Sequence, residues 1–207
     1  MICASAKQVV FRSWNERMTN PFMKKLLIPA LLLLNQAVSA QYKSSNINFN
    51  KLTEVAGTPY MIATVDHVEK MSGEVIPFLL FIDTQTGTQQ RVDFPGNSYP
   101  GRPEQVRIDS LGINLILLQA RTHDLDGKKG INWNDPAQVF ILSADGSQKH
   151  QLTDSIFFVR TSAVCRTTGT LVVTGHYDSN NNHRYDAGDS NEIQVFDLKS
   201  RKLLYKI

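Results

Sequence analysis

Short apolar runs separated by polar turns dominate the chain from residue 55 onward. Each run is rich in Val, Ile, Leu and Phe, and Gly, Asp, Asn or Pro residues interrupt the sequence between runs, as is typical of strands. The runs are 60–65, 77–83, 105–109, 115–120, 138–143, 162–165, 171–175 and 193–198. No helical stripe of convincing length follows residue 40. The pattern therefore predicts an all-β fold.

These runs recur in the same order with a period near 55 residues. The segments "LLQARTHDLDG…AQVFILSADGSQKHQL" and "LVVTGHYDSNN…IQVFDLKSRKLLYKI" share an apolar strand, an Asp-rich loop, a second strand, a turn and a charged strand. In this alignment Asp124 corresponds to Asp178, 54 residues further on. A fainter first copy places Asp66 before its own loop.

A period of this length, with about four short strands per copy, is typical of propeller blades. A lone four-stranded sheet cannot bury both of its faces, whereas related sheets that stack side by side can cover one another. The sequence predicts a propeller-like domain over 55–207, with antiparallel four-stranded blades at approximately 55–109, 110–165 and 166–207.

The turn sequence "SADGSQKHQLT" at 143–153 carries a family resemblance. Together with the strand order over roughly 55–207, it resembles the WD-like propeller repeats of the Tol–Pal component TolB and its relatives. The "PDG" turn of those repeats is replaced here by "SLG" (110–112) and "TTG" (167–169). The resemblance implies a propeller fold, and no family function is carried over from it.

Three copies supply about twelve strands, whereas closed propellers typically have at least four blades. Three arrangements remain open: an open fan of three blades, a ring of six blades closed by two chains, or a fan whose ends another partner covers. A homo-oligomer is therefore one expectation. A fragment of a longer propeller protein is another.

The segment Met23 to Ala40 has the composition of a secretory signal peptide. Lys24 and Lys25 precede an apolar stretch, and Val38-Ser39-Ala40 forms a small-residue cleavage site. The apolar stretch is shorter than the roughly 20 residues that span a bilayer, so no stable membrane anchor is expected. We predict a periplasmic or secreted protein, with 1–22 as a mis-called N-terminal extension, 23–40 as the signal peptide and 41–54 as a linker.

Removing residues 1–40 changes the charge of the chain. The whole sequence has a formal net charge of +3, but its first 40 residues hold five of the 22 basic side chains and one of the 19 acidic ones. The remainder has 17 basic and 18 acidic residues, a net charge of −1. Electrostatics therefore gives no support for nucleic acid binding. Cys165 is the one cysteine in this part, and we expect it to be a small buried hydrophobic residue.

Residues 178–189, "DSNNNHRYDAGD", have the spacing of an EF-hand-like calcium loop. Oxygen-bearing side chains occupy loop positions 1, 3, 5, 9 and 12, and position 7 would contribute its backbone carbonyl. These residues are Asp178, Asn180, Asn182, Asp186 and Asp189, with Arg184 at position 7. Position 6 is His183, where calcium loops have Gly, and Asp189 is shorter than the usual Glu. The alternative is a polar turn whose side chains bond to its own backbone.

The corresponding loop 124–135 predicts a weaker calcium site. It has Asp124, Asp126, Asn132 and Asp135 at positions 1, 3, 9 and 12. Lys128 at position 5 would place an ammonium group where a ligand should be. In the same loop, we expect Trp133 to cover a neighbouring blade, with an exposed sugar-stacking surface as the alternative.

These observations favour an exported, non-enzymatic binding or interaction protein of the cell envelope, which calcium stabilises. Its partner would be another envelope protein or an extracellular ligand. The alternative is a metal-dependent secreted hydrolase on a propeller scaffold. The sequence has no Gly-rich phosphate loop, no G-x-S-x-G elbow and no H-E-x-x-H helix. Ligand identity, ring closure and physiological role stay open at this stage.

Overall fold

The computed structural model describes residues 49–65, 77–127, 130–182 and 186–207. The predicted leader, the signal peptide and Asp66 lie outside the described residues. Within these ranges the chain forms strands and one 3₁₀ turn, Asp109–Leu111. The strands are β1 Phe49–Glu54, β2 Tyr60–Val65, β3 Phe78–Asp83, β4 Gln89–Asp93, β5 Tyr99–Pro100, β6 Glu104–Ile108, β7 Ile113–Arg121, β8 Gln138–Ser143, β9 Lys149–Gln151, β10 Phe157–Cys165, β11 Thr170–Tyr177, β12 Ser190–Asp197 and β13 Lys202–Lys206.

In the described part of the chain these strands form three antiparallel sheets. The first sheet has the order β1-β2-β3-β4 and the third sheet has the order β10-β11-β12-β13. In the middle sheet, β5 pairs with the end of β7 and β6 pairs with its beginning, so the two together make one interrupted edge strand. Each sheet is therefore a four-stranded antiparallel meander. The all-β, blade-like architecture predicted from the sequence is confirmed.

The sheet boundaries differ from the predicted repeat boundaries by one strand. The described strands of the three sheets run from Phe49 to Asp93, from Tyr99 to Gln151 and from Phe157 to Lys206. The predicted cuts after residues 109 and 165 assign the interrupted edge strand β5–β6 and the strand β10 to the preceding repeat. In addition, β1 lies within the segment predicted as a linker, 41–54. A repeat period gives the length of a unit but not the strand at which the unit starts.

The middle sheet is buried on both faces. Alternate side chains of a strand point to opposite faces. Along β7, Leu115 and Leu117 pack in the core shared with the third sheet. Ile116 and Leu118, between and after them, pack in the core shared with the first sheet. This is why the run at 115–120 is almost continuously apolar.

Two apolar cores result, one on each side of the middle sheet. The core with the first sheet includes Ile62, Leu79, Phe81, Ile116, Phe140 and Leu142. The core with the third sheet includes Leu117, Val139, Ile141, Leu171, Val173 and Phe196. Burial of these side chains, worth roughly 1.5–3 kcal/mol each, holds neighbouring sheets against each other. The first and third sheets thus each have one face in a core and one face turned away from it.

Candidate functional site

Both predicted calcium loops connect the second and third strands of a sheet. Residues 122–137 join β7 to β8, and residues 178–189 join β11 to β12. Asp124 and Asp178 therefore occupy equivalent connections in neighbouring sheets. The corresponding connection of the first sheet contains residues 66–76, which are outside the described residues.

The aspartate at position 12 ties down each loop in the same way. In the first of the two loops, Asp135 Oδ1 accepts the backbone N–H of Leu125 at 2.8 Å, and Oδ2 accepts that of Asn132 at 2.7 Å. These donors are the second and ninth residues of the loop. Asp135 is 3% exposed, so its carboxylate acts as a buried anchor for the loop backbone.

Asp189 repeats this arrangement in the third sheet. Its Oδ1 accepts the N–H of Ser179 at 3.3 Å, and its Oδ2 accepts that of Asp186 at 2.8 Å. Again the donors are the second and ninth loop residues. Each carboxylate oxygen has a further lone pair, so these bonds are compatible with an additional cation.

The structure gathers three carboxylates in loop 124–135. One oxygen from each of Asp124, Asp126 and Asp135 lies within 4.8 Å of the others. Asp124 is exposed, Asp126 is half-buried and Asp135 is buried, so the group is partly exposed to solvent. Clustered hard oxygen atoms are the ligands that calcium prefers. The predicted ligand Asn132 bonds within the loop: its Nδ2 donates to the carbonyl of Gly130 at 3.0 Å, and its Oδ1 accepts the N–H of Asn134 at 2.9 Å.

Loop 178–189 uses its polar side chains to bond to one another. The amide nitrogen of Asn180 donates to both carboxylate oxygens of Asp186, and that of Asn182 donates to Oδ2. The backbone N–H of Asn182 donates to Asp178 Oδ1 at 3.1 Å. A backbone hydrogen bond from Gly188, assisted by these two amides, lowers the pKa of Asp186. This is the internal bonding expected of an Asn/Asp turn, and the predicted ligand Arg184 lies outside the described residues.

His176 adjoins this loop, although the sequence pattern did not assign it there. It lies in β11, is 5% exposed, and its Nε2 is 3.9 Å from Asp189 Oδ2. Its ring stacks on that of Phe158, with centroids 4.9 Å apart. Burial lowers the pKa of His176, and the charge of Asp189 partly opposes that effect. Its position two residues before Asp178 was the sequence signal for this proximity.

An open cleft of about 460 Å³ lies beside loop 122–137. It extends from the middle sheet to β10, where Gln119 Nε2 donates to Ser162 Oγ at 3.2 Å. Its aromatic and polar lining consists mainly of Tyr99, Arg102, Glu104, Gln119, Arg121 and Trp133. These side chains include two guanidinium groups and one carboxylate, and Arg121 also interacts electrostatically with Asp135 of the neighbouring acidic loop.

Trp133 forms an exposed wall of this cleft. Its side chain is 74% exposed, so the expectation that it covers a neighbouring blade is wrong. The Tyr99 ring lies 5.6 Å from the Trp133 ring, and the Arg121 guanidinium lies 4.9 Å from the Trp133 centroid. Arg121 also donates from Nε to the backbone carbonyl of Asp135 at 3.1 Å. This bond joins the cleft directly to the acidic loop.

Cys165 is exposed, in contrast to the predicted buried position. It is the last residue of β10, which is an edge strand of the third sheet. The prediction that Cys165 lies in a strand is confirmed. Its side chain, however, is on the face of the sheet that is turned away from the core. Hydrogen bonding to Thr168 lowers the pKa of the thiol.

Comparisons with known proteins do not place the chain in a family. No family model and no curated protein matches the sequence. A solved structure of Pyrococcus horikoshii acylaminoacyl peptidase, in its orthorhombic crystal form, aligns at 10% identity and a TM-score of 0.42. The alignment covers 78% of this chain and 25% of that one, so this chain corresponds to about a quarter of its length. A likeness at this level supports no assignment of fold or function. Within the described ranges, no helix is long and apolar enough to cross a membrane.

Proposed function

We propose that the chain is an exported, non-enzymatic binding protein whose cleft recognises acidic saccharides, and whose loop 124–135 is stiffened by calcium. Export would depend on the signal segment 23–40 and would deliver the protein to the periplasm or the exterior. The ligand would be an extracellular glycan or a glycan displayed on another envelope component. The observation that carries the proposal is the exposed Trp133 at the wall of an open cleft that Arg102 and Arg121 also line.

The lining of the cleft matches the chemistry of a charged sugar. An indole that is 74% exposed offers a flat apolar surface, which the ring face of a saccharide can cover. Arg121 uses Nε for the loop carbonyl, so its terminal nitrogens remain for bidentate contact with a carboxylate. Gln119 and Glu104 add groups that hydrogen-bond to hydroxyls. A uronic acid unit combines a ring face, hydroxyls and a carboxylate.

Calcium in loop 124–135 would stabilise the loop that carries Trp133. Three carboxylates within 4.8 Å repel one another when ionised, and a divalent cation relieves that repulsion. Asp124, Asp126 and Asp135 would hold the ion, with backbone carbonyls and water as further ligands. Trp133 is two residues before Asp135, so an ion bound there would restrict the loop that carries the indole. Loop 178–189, with Asp178 and Asp189 at its ends, is the second proposed calcium position.

Saccharide titration tests the proposal. In the full chain, oligogalacturonate should bind by calorimetry, and neutral dextran of similar length should bind far more weakly. Trp133→Ala should abolish binding, because it removes the stacking surface. Ile156→Ala, which truncates another exposed large apolar side chain, is the control and should bind as the unaltered chain does. Equal affinity of the Trp133→Ala variant would refute the assignment of the cleft.

A metal-dependent secreted hydrolase is the second candidate. The observation in its favour is that the carboxylate group of Asp124, Asp126 and Asp135 lies in the loop that borders the cleft. A catalytic ion there would be close to a bound glycan. Product analysis after prolonged incubation with calcium and oligogalacturonate separates the two functions: intact oligomer supports binding alone, and shortened oligomer supports hydrolysis.

A further inference from the structure

The first and third sheets each carry a cluster of apolar side chains on their outer face, which is the face turned away from the middle sheet. On the first outer face, Arg91 and Asp93 of the edge strand β4 lie beside this cluster. Ile62, Leu79 and Phe81 point into the core, so their strand neighbours lie on the opposite face. The first outer face includes Leu52, Met61, Ala63, Leu80 and Ile82. The third outer face includes Val172, Ile193, Val195, Tyr205 and Ile207. Several of these side chains are exposed, among them Leu52 at 63% and Tyr205 at 64%.

The strand register shows that the third outer face is equivalent to the faces by which the first and middle sheets pack against the sheet that follows each of them. In each sheet, one residue of the second strand lies opposite the residue two places before the end of the third strand. These pairs are Ile62–Phe81, Leu117–Ile141 and Val172–Val195. The first two pairs pack against the following sheet in the two cores. Val172–Val195 is the same feature in the third sheet, but no fourth sheet follows it in the described chain.

The first outer face is equivalent to the faces by which the middle and third sheets pack against the sheet that precedes each of them. The pairs one residue earlier on the second strand are Met61–Ile82, Ile116–Leu142 and Leu171–Phe196. Ile116–Leu142 packs against the first sheet, and Leu171–Phe196 packs against the middle sheet. Met61–Ile82 would therefore receive a preceding sheet. The chain thus carries both halves of the sheet-to-sheet contact that it already makes twice internally.

We infer that a second copy of this chain docks head to tail, with the third outer face of one copy packed on the first outer face of the other. Each copy supplies both halves, so two copies can make the contact twice and close a ring of six sheets. An unrelated partner would have to reproduce one half of this register from another sequence. The inference stands apart from the proposed function, because neither outer face includes a residue of the cleft or of the acidic triad.

Mass measurement by light scattering tests the contact in the full chain. We expect twice the mass of one chain for the unaltered protein. Val195→Lys alters the third outer face and Ile82→Glu alters the first, and each variant alone should be a monomer with an unchanged circular dichroism spectrum. Ile156→Lys, at an exposed residue between β9 and β10, is the matched control and should remain dimeric.

Mixing the two variants tests the head-to-tail arrangement itself. Val195→Lys retains an intact first outer face and Ile82→Glu retains an intact third outer face, so the mixture can form one native contact and one Lys–Glu contact. Dimers should therefore reappear on mixing. A monomeric unaltered chain, dimeric single variants or a mixture that stays monomeric would each overturn the inference. A species larger than two copies would overturn the two-copy ring. Saccharide affinity of the monomeric variants is measured in a separate titration. Failure of the dimer proposal therefore leaves the saccharide-binding proposal testable, and the reverse also holds.

Discussion

Asp135 and Asp189 lie at the same position of equivalent loops in neighbouring sheets, and their carboxylates accept the same two backbone N–H groups. The donors are the second and ninth residues of each loop, at distances between 2.7 and 3.3 Å. Both aspartates are buried. The loops are therefore held by their own side chains, and a cation would add to an existing arrangement. Position 12 therefore has a structural role in each loop that does not depend on the calcium ion we propose.

Replacing Asp135 with Asn should destabilise the protein. The amide has one carbonyl oxygen in place of two carboxylate oxygens, so one partly buried N–H of Leu125 or Asn132 loses its acceptor. A fully buried donor left unpaired costs about 1–3 kcal/mol, so we expect a loss of about 1 kcal/mol of unfolding free energy here. Urea unfolding measures the change. Asp124→Asn, at the exposed first position of the loop, is the control, and an equal loss in both variants would contradict the anchoring role.

Calcium should stabilise the protein and change the fluorescence of Trp133. The chain has two tryptophans, so a Trp14→Phe background leaves Trp133 as the sole indole, inside loop 124–135. With a dissociation constant of 10⁻⁴–10⁻³ M, about 10 mM calcium would add roughly 1.4–2.7 kcal/mol to the unfolding free energy. Thermal melting and emission spectra give the two readouts.

Variants assign this effect to one of the two loops. Asp126→Ala should remove the fluorescence response, because Asp126 belongs to the triad beside Trp133. Asp178→Ala should leave that response intact, since it lies in the other loop. The reverse pattern would move the ion to loop 178–189, and no response in the background variant would exclude calcium from loop 124–135.

Stability should fall as the pH drops below about 6.5, the ordinary pKa of histidine. Burial lowers the pKa of His176 in the folded state, so the unfolded chain takes up a proton first on acidification. The contribution is fully present above the unfolded-state pKa and is lost as the pH falls through the folded-state pKa. Urea unfolding at a series of pH values measures it. His176→Gln should flatten the profile in this window, whereas His150→Gln, at an exposed position in β9, should not.

Gly175→Ala should be destabilising although the backbone there is ordinary. An added Cβ would lie 2.3 Å from the carbonyl oxygen of Phe158 and 2.5 Å from the Phe157 ring. Relief requires β10 or the core ring to move, which typically costs 1–3 kcal/mol. Gly188→Ala is the control, because its Cβ would meet only the side-chain ends of Asp186 and Asn180 at 3.1 and 3.2 Å. Comparable melting temperatures for the two variants would show that β10 is not closely packed at Gly175.

Much of the fold could be predicted because strand alternation and repeat period are local properties of a sequence. The runs at 115–120 and 138–143 became β7 and β8, and Asp124 and Asp178 fell in equivalent loops. β1 was missed because its sequence, "FNKLTE", has few apolar residues and lies before the repeats became recognisable. The exposure of Trp133 was missed because no local pattern shows which way a loop residue points.

The sequence by itself determined the strands, the turns and the order in which they recur, because side-chain alternation and turn residues act over a few neighbours. Only the tertiary structure decided which face of each strand a neighbouring sheet covers. It also brought the carboxylates of Asp124, Asp126 and Asp135 close together, and it left Trp133 exposed to solvent beside Arg121. These outcomes depend on the path of the backbone in three dimensions and on residues distant in sequence, which a linear pattern does not encode.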